Sequence, residues 1–214
     1  MTTVHLEAIA QDRLAQLGLT SSSLHRALLR ADAEVALVTA LEPPNAEGIT
    51  RYNKTTRFVR EELLPLGWNH SNSSNFCRTI SPDGSFALVA SSGDGGAGMY
   101  LPGQSPSTRY PKGETTVRAV ARNQQLALDL GTDFDDPAES DAVTMVWYLL
   151  YQVTKETIYC ELSLPAAIDN GFINSWLERI ILPPVDRPGV TAMNLGNDDG
   201  GSGVDYEVPV TRRA

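Results

Sequence analysis

Hydrophobic residues in the first 65 positions recur with the spacing of α-helices. One series advances by four, three, four and three residues, which places its members on one face of a helix. The series is Leu24, Leu28, Ala31, Val35 and Val38. Serines 21–23 precede it and can cap the first turn, and Pro43-Pro44 cannot continue a helix. The pattern therefore predicts a helix that begins near residue 21 and ends before the two prolines.

Two further helices are predicted in the same part of the chain. Residues 49–64 carry an apolar face, and Pro65 and Gly67 end the pattern. That face contains Ile49, Tyr52, Thr56, Val59 and Leu63. A shorter helix is predicted over residues 6–17, so that residues 1–67 form the helical part of the chain.

Beyond residue 68 the pattern changes to that of β-strands. Runs at 75–80 and 85–90 flank Ser81-Pro82-Asp83-Gly84, whose proline and glycine suit a type I turn, and they predict a β-hairpin. Residues 91–113 hold six glycines and three prolines and are predicted to be a long surface loop. An amphipathic helix is predicted over 114–130. Its inward side chains would be Val117, Val120, Ala121 and Leu128.

The strongest β signal lies between residues 143 and 164. Residues 143–153 are apolar at both alternating sets of positions, which is typical of a strand covered on both faces. Residues 158–164 alternate instead, so Tyr159, Glu161 and Ser163 are expected to face water. These two strands are predicted to form the centre of the sheet.

The C-terminal part is predicted to complete the sheet. We expect a short helix over 172–177 and a strand over 178–182. A last strand is expected over 204–211, at an edge because Pro209 cannot donate a ladder hydrogen bond.

These elements together predict an α+β fold. An antiparallel sheet of about five or six strands would pack against the N-terminal helices and one further amphipathic helix. The length of 214 residues favours one domain over 1–214, in which residues 68–214 are mostly β.

Composition restricts the protein to an ordinary globular class. Hydrophobic residues make up 42% of the chain, and no apolar run approaches the ~20 residues that cross a bilayer. The first residues carry acids where a signal peptide carries bases, and Cys77 and Cys160 are too few for a disulfide framework. We therefore expect a cytoplasmic protein with no membrane contact.

Charge is unevenly distributed along the chain. The formal net charge of -9 disfavours a general attraction to nucleic acids. Arg51, Lys54 and Arg57 nevertheless recur every three residues opposite the apolar face, which predicts a solvent-facing stripe able to hold phosphates. Pairing with Glu47 and Glu61 at i,i+4 spacing would instead make this an ordinary solvated surface.

The glycines at 93–98 have the GxGxxG spacing of dinucleotide-binding loops. In such a loop the last glycine opens a helix, whereas the MYLPG that follows here cannot form one. We therefore interpret these glycines as part of the long loop. The loop residues expected to contact a partner are Gly93, Asp94, Gly95, Arg109 and Lys112.

Potential metal ligands are scattered. The segment 129–141 is acidic but lacks the ligand spacing of an EF-hand. His5, His25 and His70 do not combine at metal-binding spacing, so no metal and no cofactor is predicted. His70 and Trp68, between the helical and β parts, could line a cleft.

Residues 81–98, which begin SPDG, and residues 159–183, which begin YCELSLP, resemble segments of uncharacterised bacterial proteins carried by phages and mobile elements. The resemblance implies a bacterial or phage cytoplasmic setting. It assigns no activity and no functional residue.

Three functions remain open. The favoured one is a non-enzymatic binding protein that presents the basic stripe and the loop to a phosphate-bearing or protein partner. The second is an enzyme acting on a phosphate ester or nucleotide, with Asp94, His70 and Glu161 as acids, bases or metal ligands. The third is an acidic protein that occupies a nucleic-acid-binding partner through 129–141.

Overall fold

The computed structural model describes residues 2–127 and 145–188. Its N-terminal part contains one short strand and three helices: β1 (Thr3–His5), α1 (Glu7–Gln16), α2 (Ser21–Val35) and α3 (Ala46–Leu63). The hydroxyl of Thr20 accepts a hydrogen bond from the N–H of Ser23 at 3.2 Å, so the cap of α2 lies just before the serines. The three predicted N-terminal helices are confirmed, but α2 ends at Val35, so Val38 lies beyond it, and Ile49, predicted on the inner face of α3, is 52% exposed. None of the described helices has the length and apolar character needed to cross a bilayer.

The rest of the described chain builds a sheet and one further helix. The strands are β2 (Asn69–Ser71), β3 (Arg78–Ile80), β4 (Phe86–Ser92), β5 (Met145–Val153), β6 (Thr157–Asp169), β7 (Phe172–Ile181) and β8 (Val185–Asp186). The helix α4 (Glu114–Ala127) lies between β4 and β5 in the chain. The strand order is β1-β7-β6-β5-β4-β3-β2, and β8 pairs with the first residues of β6.

The described sheet is mixed and has eight strands, so the prediction of an antiparallel sheet of five or six strands is wrong. β4 and β5 run parallel, from Phe86 beside Met145 to Ser92 beside Tyr151. They can do so because the connection through α4 returns the chain to the same end of the sheet. β1 also pairs parallel with β7.

β6 and β7 form a long hairpin where a short helix over 172–177 was predicted. Asn170 and Gly171 have φ angles of 49° and 83°, the left-handed pair that a type I′ turn requires. Phe172 is thereby placed beside Asp169, and pairing with β6 holds the following residues extended. Asn-Gly is a strong hairpin signal, and the helix prediction overlooked it.

Both faces of the sheet are covered. On one face α1, α2 and α3 pack over a core that includes Trp147 and Leu162. On the other face α4 and the 93–113 loop cover a second core that includes Tyr148 and Trp176. The sheet is therefore the middle of three layers, and side chains on either face must be compatible with burial.

Because α4 and the 93–113 loop cover the second face, two predictions about which side chains are buried need correction. Glu161 and Ser163 on β6, expected to face water, are fully buried. On α4, Val120 is buried as predicted, whereas Val117 and Ala121, also predicted to point inward, are exposed. Asn123 is buried as well. Its side-chain nitrogen donates a hydrogen bond to the carbonyl of Val146, and its side-chain oxygen accepts one from the N–H of Val146, both at 2.8 Å. This amide fastens α4 to β5.

The central prediction concerned strands between residues 143 and 164. It is confirmed by β5 and β6, which pair from Tyr148 beside Ser163 to Val153 beside Ile158. Other predictions lie outside the described residues. They are the acidic segment 129–141, Leu128 and the edge strand 204–211.

Candidate anion-binding site

The basic residues predicted to form a stripe on α3 are paired with acids. The pairs are Arg51 with Asp32 at 2.7 Å, Lys54 with Glu34 at 2.6 Å and Arg57 with Glu61 at 2.7 Å. The side chains of Arg51 and Lys54 are only 16% and 30% exposed, against 61% for Arg57. The expectation of a solvent-facing stripe is therefore wrong for Arg51 and Lys54, because acids on α2 draw them toward that helix.

Asp32 is the centre of a cluster that fastens the end of the described chain to α2. It accepts hydrogen bonds from Arg51 at 2.7 Å and from Nε and Nη2 of Arg187 at 2.7 and 3.0 Å. Burial opposes ionisation of this carboxyl, but the bonds from Arg187 and Arg51 outweigh burial and lower the pKa of Asp32. Arg187 also donates to the carbonyls of Thr154 and Lys155. The cluster is structural: it holds the guanidinium of Arg51, whose side chain is only 16% exposed, against the carboxylate of Asp32.

The GxGxxG segment is a tight loop packed on the sheet. The carboxylate of Asp94 accepts the N–H groups of Gly96 at 2.9 Å and Ser107 at 3.0 Å, so it shapes the loop. Gly98 has a φ of +73°, and a Cβ there would lie 2.3 Å from the backbone nitrogen of Cys160. Glycine is required at this point because the loop touches the backbone of β6.

The other predicted contact residues of this loop are also engaged internally. Gly93 forms a bridge with Thr108 across the loop. The carbonyl of Gly95 accepts a hydrogen bond from the side chain of Gln152 at 3.0 Å. The N–H of Gly93 donates to the carbonyl of Tyr151 at 2.7 Å, so it is not free for the phosphate contacts that a nucleotide loop makes.

A buried ion pair holds the loop against the sheet. Arg179 and Glu161 lie 2.5 Å apart, with side chains only 4% and 0% exposed. The Glu161 carboxylate also accepts the hydroxyl of Ser163 at 2.7 Å and the N–H of Gly98 at 2.9 Å. Arg179 donates further to the carbonyl of Met99 at 3.0 Å. Each carboxylate oxygen of Glu161 thus accepts two hydrogen bonds, which suits an anchor and not an acid or base.

Lys112 and Arg109 lie just before α4, at the end of β4. The ammonium group of Lys112 donates to the hydroxyl of buried Ser91 at 2.7 Å. The backbone N–H of Lys112 donates to the carbonyl of Gly171 at 2.7 Å, and that of Arg109 to the carbonyl of Ser92 at 2.9 Å. The segment is therefore held between the end of β4 and the turn that joins β6 to β7.

These two cations differ from those of α3 in their electrostatic environment. Among residues 2–127 and 145–188, no carboxylate forms an ion pair with Lys112 or Arg109. Burial without such compensation lowers the pKa of Lys112 to about 8. The guanidinium of Arg109 is exposed, 5.9 Å from the centre of the Tyr110 ring.

The position of the two cations suits an anion for a second reason. α4 begins at Glu114, two residues after Lys112, and helix N-termini carry partial positive charge. The side chain of Glu114 is 84% exposed and lies 3.8 Å from Arg118, on the outer side of the helix. In connections between parallel strands, such as β4-α4-β5, ligands commonly bind at the end where strands finish and the helix begins.

Trp68 and His70 do not form the predicted cleft. Trp68 is buried and packs edge-on against Phe86, with ring centres 5.3 Å apart. His70 is exposed in β2, where it pairs with Thr79. The first is therefore a core residue and the second lies in a strand at the edge of the described sheet.

Two other features of the described residues were candidates for an anion site or a metal site, and neither forms one. A depression on the outer side of the long loop is lined by Asp94 and Gln104 among mostly apolar and glycine residues, and its lining contains no basic side chain. In the described part of the chain, no three His, Cys, Asp or Glu side chains come together as metal ligands would.

Comparisons with protein-family models, with curated proteins and with solved structures each find no match to this chain. The bacterial or phage setting and the cytoplasmic location stay predictions. A fold by itself does not assign an activity, so the function depends on the residues of the site.

Proposed function

We propose that the protein is a binding protein that recognises an anionic, phosphate-bearing partner through Lys112 and Arg109. The observation that carries this proposal is the absence, within the described residues, of any carboxylate paired with either cation. Arg51, Lys54 and Arg57 each have one. The proposed contact surface therefore consists of Lys112 and Arg109 at the end of the loop. It no longer includes the basic residues of α3.

Energetics favour a ligand at this place. A protonated lysine that is partly buried without a counter-charge costs free energy, which the lowered pKa of Lys112 reflects. A bound anion would supply the missing charge and offset that cost. The exposed guanidinium of Arg109 can add the two parallel hydrogen bonds that suit phosphate oxygens, and the first turn of α4 adds its dipole.

The surroundings also favour a small, local contact. The net charge of -9 opposes long-range attraction to a polyanion, so binding depends on the few groups at the site. The backbone of 109–112 is fixed by hydrogen bonds to Ser92 and Gly171, so little ordering is needed on binding.

Inorganic pyrophosphate is a suitable probe, titrated calorimetrically and in thermal unfolding at pH 7 and low salt. We expect binding that weakens with added salt and is abolished in Lys112→Met and weakened at least several-fold in Arg109→Ala. Lys54→Met and Arg57→Ala are the matched controls, since each removes a cation that already has an acid partner. Absence of binding, or equal losses in the controls, would overturn the proposal.

A further inference from the structure

We propose that the depression on the outer side of the 93–113 loop is a pocket for a primary alkylammonium group, the cationic end that a lysine side chain or a free aliphatic amine presents. Its volume is about 120 Å³. Its lining combines Asp94 with the apolar residues Met99, Leu101 and Pro106. The inference goes beyond the proposed function, because the ligand is a cation and is held by a different part of the loop.

Asp94 supplies a negative charge that is left without a cation. Among residues 2–127 and 145–188, no basic side chain forms an ion pair with it. Its Oδ1 accepts only the N–H of Gly96, and its Oδ2 only that of Ser107. A carboxylate oxygen can accept two hydrogen bonds, so each oxygen of Asp94 has one acceptor position left. Both positions are filled on each oxygen of Glu161.

The rest of the lining suits a short aliphatic chain. Pro106 is buried and Met99 and Leu101 are half-buried, so carbon atoms of a ligand would contact them while its ammonium group reaches Asp94. A volume of 120 Å³ is about four times a water molecule's share of the liquid, ~30 Å³, which leaves room for a ligand the size of the butylammonium ion. A single carboxylate offers too few oxygen ligands for a metal ion.

The walls of the pocket are held in place by the sheet. The indole Nε1 of Trp176 donates to the carbonyl of Pro106 at 2.8 Å, and Arg179 donates to the carbonyl of Met99 at 3.0 Å. A preformed pocket of this kind needs little ordering when a ligand binds. The net charge of -9 also attracts a cation to this surface.

Gly96 provides a way to narrow the pocket without removing its charge. A Cβ at this position would lie 3.4 Å from Oδ1 of Asp94 and 3.8 Å from Cβ of Pro106, between the charged and the apolar parts of the lining. The φ of Gly96 is outside the left-handed region, so the backbone accepts alanine there. The N–H of residue 96 that binds Asp94 is retained.

Three probes of equal chain length test the chemistry of the pocket. Butylammonium chloride, butanol and sodium butyrate are titrated into the protein at pH 7 and matched low ionic strength, and amide NMR signals of Gly96 and Ser107 are followed. We expect saturable shifts with butylammonium, with a dissociation constant of about 1 mM, at least roughly fivefold weaker binding of butanol and no binding of butyrate. No saturable shift with butylammonium, or equally tight binding of either other probe, overturns the inference.

Variants test the location. Gly96→Ala should weaken the binding of butylammonium at least several-fold, whereas Gly48→Ala, on α3 with nothing within 4 Å of the added Cβ, is the matched control and should bind like wild type. Asp94→Asn should bind butylammonium no better than butanol. Because Asp94→Asn also removes an acceptor from the loop, Gly96→Ala decides: unchanged binding in that variant overturns the assignment to this pocket.

Two further titrations complete the test. Tighter binding of Nα-acetyl-lysine methylamide than of butylammonium would identify a lysine side chain of a partner protein as the ligand, and weaker binding would identify a free amine. Either result retains the ammonium site. Binding of pyrophosphate should be the same in Gly96→Ala as in wild type, so failure of this inference and failure of the proposed function are observed separately.

Discussion

The guanidinium of Arg179 and the carboxylate of Glu161 meet 2.5 Å apart beneath the 93–113 loop, on a face of the sheet that excludes water. Both charges are buried, and neither could be there alone. They come from neighbouring strands, β7 and β6, and their remaining hydrogen bonds go to the loop. The pair thus ties together the sheet and the segment that leads to Lys112.

Breaking this pair is expected to be costly. Arg179→Met leaves the Glu161 carboxylate buried without its cation, and removal of one partner of a buried pair costs about 3–5 kcal/mol of the free energy of unfolding. Urea denaturation measures the loss, and limited proteolysis within the loop should accelerate. Arg57→Ala, which breaks an exposed pair, is the control and should change little. A loss no larger than that of the control would contradict the anchoring role.

Gly98 and Gly103 provide a matched test of how closely the loop approaches β6. Both have positive φ, +73° and +74°, so alanine is strained at either. A Cβ at Gly98 would lie 2.3 Å from the Cys160 nitrogen, whereas nothing lies within 4 Å at Gly103. We expect Gly103→Ala to cost about 1 kcal/mol and Gly98→Ala clearly more, up to loss of folding, in urea denaturation. Equal losses would show that the loop does not rest on the strand.

Lys112→Met is expected to stabilise the protein at pH 7. The folded-state pKa of about 8 lies below the ordinary 10.5. At pH 7 the buried charge of Lys112 therefore lowers the free energy of unfolding, by at most about 3 kcal/mol. Between pH 8 and 10.5 the unfolded state holds a proton that the folded state has released, so wild-type stability rises across this window. The advantage of Lys112→Met should shrink accordingly.

Urea denaturation of both proteins at pH 7, 8, 9 and 10 checks this expectation. Lys155→Met, at an exposed turn position, serves as the control for the loss of a lysine charge. A stability difference between wild type and Lys112→Met that stays constant with pH would contradict the buried, uncompensated state of this lysine.

Local patterns were sufficient for most elements of the described fold. The three N-terminal helices, the β3–β4 hairpin and the β5–β6 pair each depend on residues close in sequence, and each is confirmed. Parallel pairing of β4 with β5 depends instead on where α4 packs, and three-residue β1 exists only because β7 lies beside it. Such long-range contacts leave no periodic signal.

The site, like the fold, was predictable only where it depends on residues close in sequence. Lys112 and Arg109 were named from the loop, but the acids that neutralise Arg51 and Lys54 belong to α2, some 20 residues earlier. Glu161 was expected to face water because its partner, Arg179, is 18 residues away and meets it only through the β6–β7 register. Residues 158–164 alternate as they do in a strand with one face in water, so no local signal distinguished Glu161 from an exposed acid.

Asp32 provides the last prediction. Asp32→Ala leaves Arg51 and Arg187 without their shared carboxylate in a half-buried position, and we expect a loss of about 2–3 kcal/mol in urea denaturation at pH 7. Glu34→Ala is the matched control on the same helix, since its partner Lys54 is more exposed, and it should cost less. Because the pKa of Asp32 is lowered in the folded state, its contribution is complete above pH 3.8, the ordinary value, and is lost as pH falls through the lower folded value. The difference between wild type and Asp32→Ala should therefore narrow below about pH 4, and a difference that persists unchanged at pH 2 would contradict the ion-pair assignment.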